Sequence, residues 1–181
     1  AETKISLAEG RKIGEAAPGD EWLTAARVLA LSSNRGIHTV ARSLGKERLH
    51  RALIAFGFGE STGIWLSGEA AGQVHALEGW TDQSLTQVSM GYEVAVTPLQ
   101  MLAAMASVAN GGSLLQPRIV QALETLEGEV VFQTKRTFVR RVMSPEAAAM
   151  LLRALTEVTA PGGTGEAARV PGYTVAGKTG S

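Results

Sequence analysis

Cysteine is absent from the 181 residues. That removes disulfides, thiolate metal sites and cysteine nucleophiles together, without identifying a compartment. Histidine is scarce: His38, His50 and His75 are scattered with no HExxH or paired-ligand spacing, so no metal site is expected. Neither sign of charge is in excess. Lys+Arg and Asp+Glu both number 17, the net charge is zero and the pI is near 7.1. That balance argues against broad nucleic-acid binding, which needs a basic surface to neutralise phosphates. It leaves room for one local electropositive pocket. No uninterrupted apolar run approaches the roughly 18 residues of a membrane-spanning helix. The opening AETKISLAEG lacks the basic-then-apolar pattern of a secretion signal. As given, the chain is expected to be soluble and unanchored.

What is present reads as globular. Hydrophobic residues make up 45% and charged residues 19%, a balance that can bury a core, and the length suits one domain. A loose hairpin is expected between Thr3 and Ile13. After a loop at Pro18-Gly19, Asp20 is the expected N-cap for a helix through Leu31, with Trp22, Ala25, Ala26 and Leu29 on one face. Ser32-Ser33-Asn34 interrupts it. A second helix is expected from about Ile37 to Leu44; Gly45 breaks it, and a third follows from Lys46 to about Phe56. From Gly57 to about Ser84 the chain is rich in glycine with interspersed aromatics, longer than a plain connector and therefore a candidate functional loop.

The clearest helix starts at Thr97. Thr97-Pro98-Leu99-Gln100 combines a capping box with proline at the first helical position, and Asn110-Gly111-Gly112 ends it. MLAAMASVA between them is apolar nearly all round and is expected to be buried on most sides, with Met101 and Met105, like Met90, as core filler. Leu114 to Phe132 reads as two strands broken near Glu127-Gly128. Ser144-Pro145 caps a helix to about Thr159, and Gly172 to Gly180 alternates loosely as a strand. The order predicts an α+β domain: a helical lobe over about 20–112, then strands and a helix over about 113–181 packed as an antiparallel sheet.

Two short motifs bear on chemistry. Ser32-x-Asn34 sits at a helix junction, and Lys178-Thr179-Gly180 ends the last expected strand. Singly, the first reads more readily as a helix cap and the second as an ordinary strand exit. Their order changes that, because a serine acyltransferase signature consists of S-x-x-K, an S-x-N type motif and K-T-G. The last two occur here in sequence, with Gly162-Gly163-Thr164-Gly165 shortly before the third. LSSNRGIHTVARSLG, FGFGESTGIWLSGEAAG, MGYEVAVTPLQMLAAMASVANGG and GYTVAGKTGS together resemble the class B penicillin-binding proteins over nearly the whole chain.

That resemblance implies a penicillin-binding/β-lactamase-like transpeptidase fold, incomplete at both ends, and a set of roles. Ser32 is the middle-motif hydroxyl that relays a proton toward the leaving amine. Asn34 hydrogen-bonds the substrate amide and helps position the nucleophile's lysine. Lys178 anchors the substrate's terminal carboxylate, assisted by the Thr179 hydroxyl. Gly180 lets the substrate backbone lie close. The N–H of Ser181 is one of two oxyanion-hole donors, at a position that is often threonine in the family. The implied reaction is cross-linking of peptidoglycan stem peptides ending in D-Ala-D-Ala through an acyl-enzyme, which β-lactam antibiotics mimic and trap. No metal or organic cofactor is implied. The implied location is the bacterial cell envelope, the parent held by a membrane anchor that this chain lacks, with a glycosyltransferase as the implied partner protein.

The departure from the family is the nucleophile. Upstream of Ser32 the only serine is Ser6, and Ser6-Leu7-Ala8-Glu9 has no lysine. The one literal S-x-x-K, Ser43-Leu44-Gly45-Lys46, lies downstream and is split by Gly45, which marks it as a decoy. A truncated record, a proteolytic fragment or an excised domain piece explains both ends. Two rivals remain: a β-lactamase or β-lactam sensor, which shares the motifs, and a non-catalytic scaffold on the same fold. Glu60 and Glu69 read as surface acids before a paired-carboxylate glycosidase site, Trp22, Trp65 and Trp80 as packing residues, and Arg140-Arg141 as a solvated pair.

Overall fold

The computed structural model describes residues 5–6, 12–13 and 22–180. Two short strands, β1 (Ile5–Ser6) and β2 (Lys12–Ile13), pair antiparallel as the expected hairpin, and β3 (Leu23–Thr24) joins β1 in parallel. The proposed cap Asp20 lies outside the described residues. The first helix, α1, spans only Ala25–Ala30 and is capped by Thr24, whose hydroxyl accepts the Arg27 N–H at 3.1 Å. Extended pairing of Leu23–Thr24 delays the start. It also rotates the buried face onto Val28 and Ala30, while Ala25, Ala26 and Leu29 stay half-buried.

Helix α2 (Asn34–Leu44) begins three residues earlier than periodicity suggests, because Ser33 caps it. Gly45, at φ +84°, closes α2 and opens α3 (Lys46–Ala55), as expected of a residue free to occupy the left-handed region. The glycine-rich stretch carries strand β4 (Gln73–Val74) and gives way to an unforeseen helix, α4 (Asp82–Ser89). Strand β5 (Val94–Ala95) pairs with β4, and α5 (Pro98–Ala109) follows with the capping box of Thr97 and Gln100 in place.

Burial of α5 differs from the expectation. Met101 and Leu102 are 45% and 65% exposed, while the polar Gln100 and Ser107 are buried. Gln100 explains part of this: its Nε2 donates to the carbonyls of Gly57, Glu60 and Ala71 at 3.2, 2.7 and 2.7 Å, and its Oε1 accepts the Thr97 N–H at 2.8 Å. One side chain therefore ties the glycine-rich loop to the helix.

The stretch expected to hold two strands yields β6 (Ser113–Leu115), β7 (Ala122–Glu124) and β8 (Val130–Gln133), with β9 (Phe138–Arg141) beyond. Pro117 has no N–H to continue a ladder, so β6 and β7 separate. β6 pairs antiparallel with β9, and β7 with β8, through a turn with Gly128 at φ +86°. Helix α6 (Pro145–Thr159) is capped by Ser144 as the sequence predicts. The chain is α+β, its described strands divided among one three-stranded mixed sheet and three antiparallel pairs. Val108 of α5 and Leu155 and Val158 of α6 form a buried cluster, against which Phe56, Met105, Met143, Leu151 and Ala176 pack. Among the described residues no helix is long and apolar enough to cross a membrane.

Residues 172–180 form no strand. A ladder needs a neighbour, and this segment is instead tied to α6: the Gly177 N–H donates to the Leu155 carbonyl at 3.2 Å, and the Val175 carbonyl accepts the Thr159 hydroxyl at 2.6 Å. Ala176, on the core, thereby fixes the backbone two residues before Lys178.

Candidate active site

Ser32 occupies the end of α1 in a conformation that glycine usually supplies. Its φ is +51°, its N–H donates to the Leu29 carbonyl at 3.1 Å, and the Ser33 N–H donates to Val28 at 3.0 Å. These two bonds form a Schellman closure, with serine at the left-handed position. Ser33 then caps α2, its hydroxyl accepting the Gly36 N–H at 3.1 Å, and Asn34 becomes the first helical residue. The tripeptide is thus a helix junction as well as a motif. Its two outer side chains stay exposed while the middle one does the capping.

The junction is held by close packing. A Cβ on Gly36 would lie 2.6 and 2.7 Å from the two γ-methyls of buried Val28, so only glycine lets α2 leave α1 at this angle. Gly163 is pressed still closer, against the Val158 and Glu157 carbonyls, at 2.2 and 2.5 Å from a notional Cβ. That seats the glycine-rich loop on the end of α6. From there the Thr164 N–H donates to the Ala30 carbonyl at 3.0 Å, satisfying an orphan acceptor at the end of α1.

Lys178 completes the group. Its Nζ donates to Ser32 Oγ at 2.8 Å, to the Thr179 carbonyl at 3.1 Å and to Thr179 Oγ1 at 3.3 Å. Thr179 Oγ1 lies 3.0 Å from Thr164 Oγ1. Lys178, Thr179, Gly180, Ser32, Asn34 and Thr164 are all exposed, so the group faces solvent. A Cβ on Gly180 would meet nothing, which leaves open space over that backbone. Asn34 has no side-chain partner among the described residues, and Ser181 lies outside them. The structure therefore brings Ser32, Lys178 and Thr179 into contact and adds Thr164, known from the sequence only as part of a glycine-rich loop.

The decoy motif sits elsewhere. Ser43 is near the far end of α2, about 13 Å along the helix from Asn34 at 1.5 Å per residue. Lys46 begins the next helix, beyond the Gly45 break.

The chain as a whole is similar to known proteins. The model of the penicillin binding protein transpeptidase domain matches residues 5–181. The chain belongs to that family. It is 35% identical over 164 residues to the penicillin-binding protein PbpB of Mycolicibacterium smegmatis, covering 87% of this chain and 25% of the relative. It is 31% identical over 172 residues to the peptidoglycan D,D-transpeptidase FtsI of Escherichia coli, covering 95% of this chain and 27% of the relative. A crystal structure of penicillin binding protein 3 of Mycobacterium tuberculosis, complexed with aztreonam, superposes with a TM-score of 0.79 at 30% identity, covering 98% of this chain and 41% of that one. The chain spans about a quarter of the length of the curated relatives it matches.

Other residues singled out in the sequence have local tasks in this transpeptidase fold. Glu69 accepts the Thr62 hydroxyl and N–H at 2.5 and 2.7 Å and the Gly63 N–H at 3.1 Å. The Thr62 hydroxyl is the main reason its carboxyl is held below the usual range, against a smaller opposing effect of burial. Glu60 pairs with Arg140 at 2.6 Å, so each of the two acids has its own local partner. Arg141 Nη1 donates to the Gly111 carbonyl at 3.0 Å, and neither arginine is merely solvated. Trp80 is buried against His50, its ring N–H donating to the His75 carbonyl. Trp65 departs from the packing expectation: it is 65% exposed, with Phe132 beside it at 5.8 Å.

Proposed function

We propose that this chain supplies two walls of the acyl-transfer site of a serine D,D-transpeptidase that cross-links peptidoglycan stem peptides and is acylated by β-lactams. The observation that carries this reading is the 2.8 Å hydrogen bond from Lys178 to Ser32, which joins the two motifs across 146 positions of sequence. An ammonium can only donate. With Lys178 filling one lone pair of Ser32 Oγ, the serine's own proton points away from the lysine, toward the open side of the site.

The roles follow from that polarity. A nucleophilic serine attacks the carbonyl of the penultimate D-alanine, and its proton passes to a neighbouring base. Charge gathers on the carbonyl oxygen, which the Ser181 N–H helps to stabilise. On collapse the carbon–nitrogen bond breaks, and Ser32 delivers its proton to the departing amine of the terminal D-alanine while taking back the one that the base removed from the nucleophile. Lys178 supplies the positive charge that anchors the terminal carboxylate, assisted by the Thr179 hydroxyl, while Asn34 binds the substrate amide and orients the nucleophile's lysine. An acceptor amine then takes the acyl group. A β-lactam follows the first half of this path and stops at the acyl-enzyme.

The nucleophile itself is assigned to a segment outside residues 1–181, since Ser43 is remote from the pair. Residues 1–181 alone are accordingly inactive and form a single partial transpeptidase domain. The site needs no metal or organic cofactor. The whole protein belongs in the bacterial cell envelope, anchored in the cytoplasmic membrane with this domain outside, where a glycosyltransferase is its partner.

The test is the acylation rate of the whole protein by a fluorescent penicillin. Ser32→Ala and Lys178→Ala are each expected to slow it by roughly 10²–10⁴-fold, the usual size of a lost proton-transfer group. Wild-type rates in both variants, with the fold intact, overturn the assignment.

A further inference from the structure

Thr164 has no role among the three motifs, yet its hydroxyl lies 3.0 Å from that of Thr179, while its N–H is fixed to the Ala30 carbonyl at the end of α1. We infer that Thr164 is a positioning residue that aims the Thr179 hydroxyl proton at the substrate's carboxylate. This rests on the proposal that Thr179 assists in binding that carboxylate.

The reasoning is a count of protons and lone pairs. A threonine hydroxyl has one proton to donate and two lone pairs to accept with. Lys178 Nζ already donates to Thr179 Oγ1 at 3.3 Å, occupying one lone pair. The bond to Thr164 can then run in either of two directions. If Thr179 donates to Thr164, its proton is spent and the carboxylate meets only oxygen lone pairs. If Thr164 donates to Thr179, both lone pairs are filled and the Thr179 proton is directed outward. An arriving carboxylate, an acceptor only, selects the second arrangement.

Thr164 is built to hold still while this happens. The glycine before it is wedged against the Val158 and Glu157 carbonyls, and the Gly165 N–H donates to Val158 at 2.8 Å. The backbone on both sides is therefore anchored to α6, and the Thr164 N–H is anchored to α1. A hydroxyl on such a frame adds orientation without a flexible arm. It also links the segment preceding Ser32 to the segment carrying Lys178.

The experiment compares acylation of the whole protein by a carboxylate-bearing penicillin and by its methyl ester, in wild type, Thr164→Val, Thr164→Ser and Thr179→Val. Melting temperatures are recorded for each. Thr164→Val is expected to lose about tenfold in rate with the free acid, the worth of one hydrogen bond to a charged group, and much less with the ester. Thr164→Ser, which keeps the hydroxyl, restores the acid rate. Equal losses with acid and ester, or failure of the serine variant to rescue, overturn the inference in favour of a purely structural threonine. If Thr179→Val shows a carboxylate-dependent loss and Thr164→Val does not, the inference fails while the Thr179 assignment stands. If Thr179→Val shows none either, the assignment beneath it fails.

Discussion

Gly36 lies against Val28 so closely that both γ-methyls of the valine fall inside the space a Cβ would need, at 2.6 and 2.7 Å. The contact sets the angle between the helix that ends at Ser32 and the helix that begins at Asn34. Gly36→Ala must move one of them. The expected cost is about 1–3 kcal/mol, the range for overpacking a filled interior. The melting temperature of the whole protein should fall, and penicillin acylation should slow beyond what lost stability explains, because Asn34 moves with its helix.

Ser32 presents the opposite case, in which function keeps a residue that the backbone does not favour. Its φ of +51° suits glycine better than serine. Ser32→Gly is expected to leave the fold as stable or to strengthen it by up to about 1 kcal/mol, strain relief being partly offset by the flexibility of glycine in the unfolded chain. Acylation should collapse in the same variant. A thermal melt beside a labelling time course separates the two effects.

Gln100 is 1% exposed and serves three carbonyls and one N–H. Gln100→Leu keeps the volume and removes the hydrogen bonds. It is expected to destabilise by about 2–4 kcal/mol, since buried backbone groups lose their partners. Limited proteolysis should then cut first in the glycine-rich loop that Gln100 holds.

Glu69 gives a pH-dependent expectation. Its carboxyl is lowered from 4.5 in the folded state, chiefly by the Thr62 hydroxyl. A depressed folded value means that the ionised form stabilises the fold above the unfolded value, and that this contribution fades as pH falls through the folded one. The melting-temperature advantage of wild type over Glu69→Gln should therefore be full at neutrality and shrink below 4.5. An advantage that grows on acidification contradicts the assigned hydrogen bonds.

Local signals were the legible part of this chain. Thr97 with Gln100, Ser144 with Pro145 and the Gly45 break each declare a helix end through a few neighbouring residues, and each is found where the sequence places it. The helix over Asp82–Ser89 escaped because its capping box pairs Thr81 with Ser84, where glutamate or glutamine is the usual sign. Strand pairing escaped for a different reason. Ser113–Leu115 finds its partner in Phe138–Arg141, across a hairpin that local patterning does not reveal. At the site, the motif residues were readable from their order, but Thr164 was not. Its contact with Thr179 depends on how Gly163 packs against α6, which is a property of the assembled fold.

The most direct test of the central claim is peptide mapping by mass spectrometry after the whole protein is incubated with penicillin. The account predicts one adduct, on a serine outside residues 1–181, and its sharp reduction in Lys178→Ala. An adduct on Ser43 or Ser32, or labelling indifferent to Lys178, contradicts it.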